Sequence, residues 1–486
     1  MNRGILAQCE REALHLSGAI EPGGTLLMLD EQGLVSHVAA NLGQFLDLDP
    51  ASLLGRPVPE SLRDWLSGLG PNPGTRRVLE AQVAGRGGML DLLVVRGEQG
   101  NISLELFPHL ATAPASSEET SLQAPVGVDP NPERSRDALL QWVVEQSGFQ
   151  RVMFYRFHDN GDGEVIAERR QGDVYGSYLG LRFPASDIPQ IARTLYQKHP
   201  WRMIADARAE PVPLLGRDGV TADLTWADLR SVSPVHRVYL ANMGVRASLS
   251  LPLAAGGKLL ALVTAHHSEP CRLPLQTLDH LASLARRHAL EIIRSQSGRR
   301  MRLIDNLTRQ FDAVLALLQK LGDLSRVWPE VGAWLMQEFK VDGALFRWGD
   351  ICVGTGTCLE PDALDVFDNW FCRWQDEVLW FGDSLARQVP NFPHSLSAGV
   401  LAVRVKLGDR EGPRVFLCRM EHLYEVAWGG NPDKPVEFHD GNLGIAPRRS
   451  FEKWVEKRLG YCRPWDNEAR LLALKLRDFL QRLLFK

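Results

Sequence analysis

Between residues 275 and 324 the apolar side chains fall at Leu275, Leu278, Leu281, Ala285, Ala289 and Ile292, and resume at Ile304, Leu307, Phe311, Val314, Leu318 and Leu321. Steps of mostly three and four residues predict one long helix. At 1.5 Å per residue it would reach about 75 Å, more than a domain is wide. A helix of that length joins two domains or pairs with a copy of itself.

The 486 residues are too many for one core, and about three domains are expected. A hydrophobic content of 44%, a charged content of 23% and a net charge of −4 describe a soluble globular protein. The near balance of charge argues against a nucleic-acid partner. No apolar run reaches the roughly 18 residues of a membrane span. The start, "MNRGILAQCEREAL", lacks a signal peptide's apolar stretch, which makes the cytoplasm the expected compartment. Cysteines stand at 9, 271, 352, 358, 372, 418 and 462, with no CxxC pair. Neither a disulfide framework nor a zinc ribbon fits. Six of them read as buried small residues or inert surface thiols, whereas Cys9 precedes the first folded segment.

The pattern predicts an α+β chain of three domains, each an antiparallel sheet with helices. Residues 17–110 show strand-like runs with a turn at Asp30–Gly33, further strands at 76–84 and 88–95, and "NISLELFPHL" to close. A linker rich in Pro, Ser, Ala and Glu follows at 111–135. A second domain, about 128–295, opens with the helix "RDALLQWVVEQSG" and the strand "RVMFYRF". It ends in the strands "RASLSLPLAA" and "KLLALVTAHH". The third, about 325–486, contains an excursion near 423–465 and a final helix, "NEARLLALKLRDFLQRLL".

Four clusters have the makings of a site. "LGLRFPASDIPQ" places Asp187 in an apolar, proline-bracketed run, where an unpaired carboxylate would be costly; a helix cap is the plainer reading. "LRSVSPVHRVYLANMGVRASLS" concentrates Arg, Ser, His and Tyr, a mixture suited to an anionic ligand, with Arg230 able to hold a carboxylate bidentately. Ser248 and Ser250 fall on one face of a strand. In "TAHH", His266 and His267 point to opposite faces and cannot share a metal; a lone His266 equally suits a core. "APRRSF" at 446–451 would by default be surface charge. No GxSxG elbow, P-loop, HExxH or helix-opening GxGxxG is present.

Taken in order, these segments resemble the photosensory core of a bacteriophytochrome. "CEREALHLSGAIEP" is similar to that family's bilin-attachment segment. "FPASDIP", "SPVHRVYLANMGV" and "TAHH" resemble the pocket of its GAF domain, and "WGG", "PRRSF" and "WVE" its PHY-domain tongue. The resemblance implies a 1–16 attachment segment, PAS at 17–110, GAF at 128–295 and PHY at 325–486. It implies biliverdin bound as a thioether to Cys9, since Val235 stands where plant relatives carry their linking cysteine. Asp187 and His236 would face the pyrrole N–H groups. Arg230 and Tyr196, with Arg202 near, would hold one propionate; Ser248 and Ser250, with His236, the other. Tyr155, Phe183, Tyr239 and His266 would line the ring that rotates. Arg448 would reach Asp187 from a tongue that also carries Trp428, Ser450 and Trp454. Leu181 departs from the pattern, standing where many relatives have a histidine.

The resemblance therefore implies a red/far-red photoreceptor working as a parallel homodimer, passing its signal through the long helix to a C-terminal output domain or response regulator. In the family that output is most often a histidine kinase; no catalytic domain is read in this chain. The alternative reading is a PAS–GAF sensor of a small diffusible ligand such as a cyclic nucleotide, which would need neither Cys9 nor a PRRSF segment. A Cys9-dependent redox catalyst lacks a resolving cysteine.

Overall fold

The computed structural model describes residues 13–111, 132–172, 174, 176–217, 219–321, 324–374, 377–407, 410–432, 436–439, 442–445 and 451–484. The chain divides into two compact units, residues 1–293 with 427–454 and residues 294–426 with 455–486.

The first unit holds two sheets. One runs Ala19–Ile20, Val212–Gly216, Val35–Ala39, Thr25–Leu29, Ile102–Pro108, Gly88–Arg96 and Arg76–Gly85, antiparallel throughout. The turn between its first hairpin strands is closed by the Gly33 N–H donating to the Asp30 carbonyl, with Gly33 at φ 77°, a conformation glycine adopts without strain. Its second strand comes from far along the chain. Leu214, Leu215 and Gly216 pair with Ala39, Val38 and His37, so the edge of this sheet is completed by a segment after residue 200.

The other sheet orders Arg202–Ile204, Ala247–Ala255, Lys258–His267, Arg151–Phe157, Gly163–Arg170 and Arg182–Phe183, antiparallel at each step. Tyr424–Gly429 joins it by a parallel pairing of Trp428 with Arg182. Alternation along the strands sorts the side chains. Ala247, Leu249, Leu251, Leu253, Val263 and Phe154 pack into the core with Leu281, Ala285 and Ala289 of the long helix. Ser248, Ser250, Met153, Tyr155 and Leu262 therefore fall on the opposite face. A short antiparallel pair, Val436–His439 with Asn442–Ile445, lies in the excursion.

The second unit is built on a five-stranded antiparallel sheet, ordered Ile351–Gly356, Gly343–Trp348, Arg410–Met420, Ser397–Leu407 and Leu379–Gly382. Leu307, Phe311 and Leu315 of the long helix meet Leu472, Leu476 and Phe479 of the last helix over one face. The Phe311 and Phe479 rings stack at 4.5 Å. Phe367 and Phe371 of the helix Pro361–Trp374 cover the other. The expected long helix is one element, Leu275–Leu321, of 47 residues. The α+β class and the three sheets, antiparallel apart from the one parallel pairing of Trp428 with Arg182, agree with the sequence reading. No helix of the described residues is long and apolar enough to cross a membrane.

Candidate functional site

On its polar-lined face the second sheet meets two helices whose starts are fixed by proline. Pro189 precedes Gln190–Lys198, and Pro234 opens Pro234–Asn242, where a missing N–H costs nothing. Between them lies a cavity open to solvent, the concave kind of place where small molecules bind. Asp187, Tyr196, Arg202, Arg230, His236 and Tyr239 all line it. Six candidates separated by up to 52 residues are thus brought to one cavity.

Their chemistry divides by partner. The Tyr239 hydroxyl donates to Asp187 Oδ2 at 3.3 Å, and its ring stacks on His236 with centroids 6.0 Å apart. Tyr196 donates to Ser250 Oγ at 3.3 Å, which ties Ser250 to the cavity although neither it nor Ser248 forms part of the lining. Ser248 and Ser250 are buried, opposite His266 and Thr264 on one side and Ile204 and Arg202 on the other. Burial and the Arg202 charge push the His236 imidazole down to about 4, so it is neutral at ordinary pH.

The two arginines behave differently. Arg202 is fully engaged, donating to Glu21 Oε1 at 2.8 Å and to the carbonyls of Asp228 and Arg230 at 2.6 Å each. Arg230 is only 8% exposed, yet the one hydrogen bond of its side chain among the described residues is a 3.5 Å contact to the Leu224 carbonyl. None of the described carboxylates forms an ion pair with it. Burial, then the Arg202 charge, push it down to about 9. A buried cation beside a cavity, without a protein anion in contact, is a site for an anionic ligand.

The remaining candidates form an aromatic end. Tyr155 and Phe183 are buried together with Leu181, Met153 and Phe451, and Tyr196, Tyr239 and Ala427 pack against them. Gly163 gives the Tyr155 ring its place, since a β-carbon there would fall 1.8 Å from it. Leu181 shares a second opening, next to Phe451, with His266. His266 Nδ1 has no hydrogen-bond partner among the described residues, and burial pushes this ring down to about 3. Trp428 is buried, whereas Trp454 is 39% exposed. Cys9, Arg448 and Ser450 lie outside the described residues.

Several contributors escaped the sequence reading. Phe451 packs edge-on to Tyr239 at 4.9 Å, and a β-carbon at Gly429 would fall 2.6 Å from the Phe183 ring. Leu14 lines the cavity, because residues 15–21 run against 224–231: Leu224 N–H donates to His15 O, and Glu21 N–H to Leu229 O, both at 2.8 Å. The signal for these was present only as position within the "CEREALHLSGAIEP", "WGG" and "PRRSF" segments. Among the described residues no group of three or more His, Cys, Asp or Glu could hold a metal.

Comparison with known proteins bears on what fills such a cavity. Residues 9–69 match the model of a PAS fold, 131–292 that of a GAF domain, and 302–486 that of the phytochrome region. The chain is 31% identical over 491 residues to a bacteriophytochrome of Pseudomonas aeruginosa, covering 98% of this chain and 66% of that protein. It is 29% identical to cyanobacterial phytochrome B of a Nostoc species, covering 97% of this chain and 65% of the relative. The chain thus spans slightly less than two thirds of these relatives. Among solved structures, the photosensory core module of Stigmatella aurantiaca phytochrome superposes with a TM-score of 0.82, at 29% identity and 98% coverage of both chains. A bacteriophytochrome from R. palustris gives 0.81 at 26% identity, with 99% of each chain covered. These likenesses do not favour the small-ligand-sensor reading. With three domain models in order and full-length superposition on a photosensory module, the chain belongs to the phytochrome family, as a PAS–GAF–PHY photosensory core.

Proposed function

We propose that this chain is a red/far-red light photoreceptor that holds biliverdin through a thioether to Cys9. The family implies a bilin chromophore; biliverdin and its link to Cys9 are the finer reading. The observation that carries it is Arg230, a buried guanidinium at the cavity wall with one long contact among the described residues. A linear tetrapyrrole with two propionates fits the donors present. Arg230 and Tyr196 receive one carboxylate, with Arg202 adding its field while it stays bound to Glu21. Ser248, Ser250 and His236 receive the other.

When bound, the bilin supplies a light-driven isomerisation about one of its double bonds. The Asp187 backbone and the neutral His236 ring accept from pyrrole N–H groups and so favour the protonated pigment. Tyr155, Phe183, Tyr239 and His266 enclose the ring that turns. The Asp187 carboxylate is the partner for Arg448, and Trp428, Ser450 and Trp454 belong to the tongue that responds. The long helix carries the change toward a C-terminal output domain or response regulator in a parallel homodimer in the cytoplasm.

Purification from cells that make biliverdin tests the reading. The expected result is a coloured protein whose absorbance moves between red and far-red bands under alternating light. On denaturing gels it should carry a zinc-fluorescent band, lost in Cys9→Ser. A colourless protein sinks the proposal, and a band that persists in Cys9→Ser moves the attachment elsewhere.

A further inference from the structure

Two free thiols share one hydrophobic cluster against the five-stranded sheet of the second unit. Cys418 is fully buried in the strand Arg410–Met420, in register with Gly343 on one side and Val400 on the other. Cys358 is half-buried, just after the edge strand Ile351–Gly356 and just before the helix Pro361–Trp374. Gly343 lets them approach. A β-carbon there would fall 2.1 Å from the Thr357 carbonyl oxygen and 2.9 Å from the Cys358 nitrogen. With hydrogen alone at that position, the chain after Gly356 folds back over the sheet.

Both side chains belong to the cluster built around Phe367 and Phe371; the Cys358 thiol donates to the Thr355 carbonyl at 3.4 Å, and Cys418 lies 4.0 Å from the Phe416 carbonyl. The pair is asymmetric. The neighbouring Cys418 lowers the Cys358 thiol, whereas the neighbouring Cys358 and burial raise Cys418. The thiolate is the reactive form, so attack begins at the more accessible Cys358.

We propose that Cys358 and Cys418 form a reversible dithiol–disulfide site, closed by hydrogen peroxide and opened by small thiols. In the first step the Cys358 thiolate attacks one peroxide oxygen; an S–O bond forms, the O–O bond breaks and hydroxide leaves. That hydroxide takes the Cys418 proton as water. The Cys418 sulfur then attacks the Cys358 sulfur, the S–S bond forms, the S–O bond breaks and a second hydroxide leaves, taking up the proton first released from Cys358. In sum, two thiols and one peroxide give one disulfide and two waters. Cys352, exposed on the edge strand, takes no part.

The test treats the reduced full chain with hydrogen peroxide, unfolds it, blocks remaining thiols with N-ethylmaleimide and maps the peptides. The expected result is a Cys358–Cys418 cross-linked peptide that dithiothreitol abolishes, with both thiols protected from alkylation. Cys352→Ala should leave the cross-link intact. In Cys418→Ala, Cys358 should instead run on to the sulfinic acid; if that variant fails to fold, the wild-type map decides alone. Wild-type Cys358 oxidised to sulfinic acid with Cys418 still alkylated would overturn the proposal. So would a Cys358–Cys352 cross-link.

Discussion

Arg419 and Arg230 are buried to nearly the same degree, 7% and 8% exposed, and the difference between them separates a structural arginine from a site arginine. Arg419, in the sheet of the second unit, donates to the carbonyls of Arg463, Pro464 and Phe339 at 2.9–3.0 Å and lies over the Trp465 ring at 3.8 Å. Its neighbour Arg414 is paired with Asp368 at 2.9 Å. The Arg230 guanidinium, in the first unit, has a single 3.5 Å hydrogen bond among the described residues and an open cavity beside it. Burial lowers both Arg419 and Arg230, but only Arg419 is repaid by three carbonyls in the fold itself. Where a protein keeps a desolvated charge that its own groups do not satisfy, the satisfying group comes from outside.

The largest test of this contrast is on the structural side. Asp368→Ala removes the partner of a buried guanidinium and should cost about 3–5 kcal/mol of folding stability, read by denaturant unfolding. A cost under about 1 kcal/mol would mean that the pairs of this sheet matter no more than surface ones. Arg230→Ala should do the reverse. The pigment-free protein keeps or gains stability, while reversible biliverdin binding, titrated in a Cys9→Ser background, weakens by about 1.5–3 kcal/mol, the worth of a charge-assisted hydrogen bond. That corresponds to roughly a ten- to hundredfold loss of affinity. Equal binding with lost stability would place Arg230 in the same class as Arg419.

The smallest effect is in pH. The folded His236 sits at about 4, below the ordinary value near 6.5. Above pH 6.5 it is neutral in both states and contributes nothing to the slope. As pH falls from 6.5 toward 4 the unfolded chain takes up a proton that the folded chain refuses, so stability is lost on acidification. His236→Gln in the pigment-free protein should flatten that fall, measured as denaturation midpoints between pH 7 and 5. An unchanged slope would show that the His236 ring is already solvated.

Much of this was legible in the residues. The three-and-four spacing after Leu275 forecast a helix that runs to Leu321, and strand alternation forecast that Ser248 and Ser250 share a face. The strand Val212–Gly216 was not legible as part of the first sheet, because nothing in "VPLLG" states that its partner is Val35–Ala39. The thiol pair was equally hidden. Cys358 and Cys418 read as unrelated inert residues until Gly343 brings their segments together.

By itself, then, the sequence determined the periodic elements and which residue types each face would present, since helix and strand periodicities act between residues a few positions apart. The tertiary structure alone decided how those faces are used. Arg202 and Arg230 are chemically alike and lie 28 positions apart, yet Arg202 is taken by Glu21, 181 residues away, while Arg230 is left facing the cavity. Such a choice depends on which distant backbone arrives beside which charge, and on the cost of drying a charge that finds no partner.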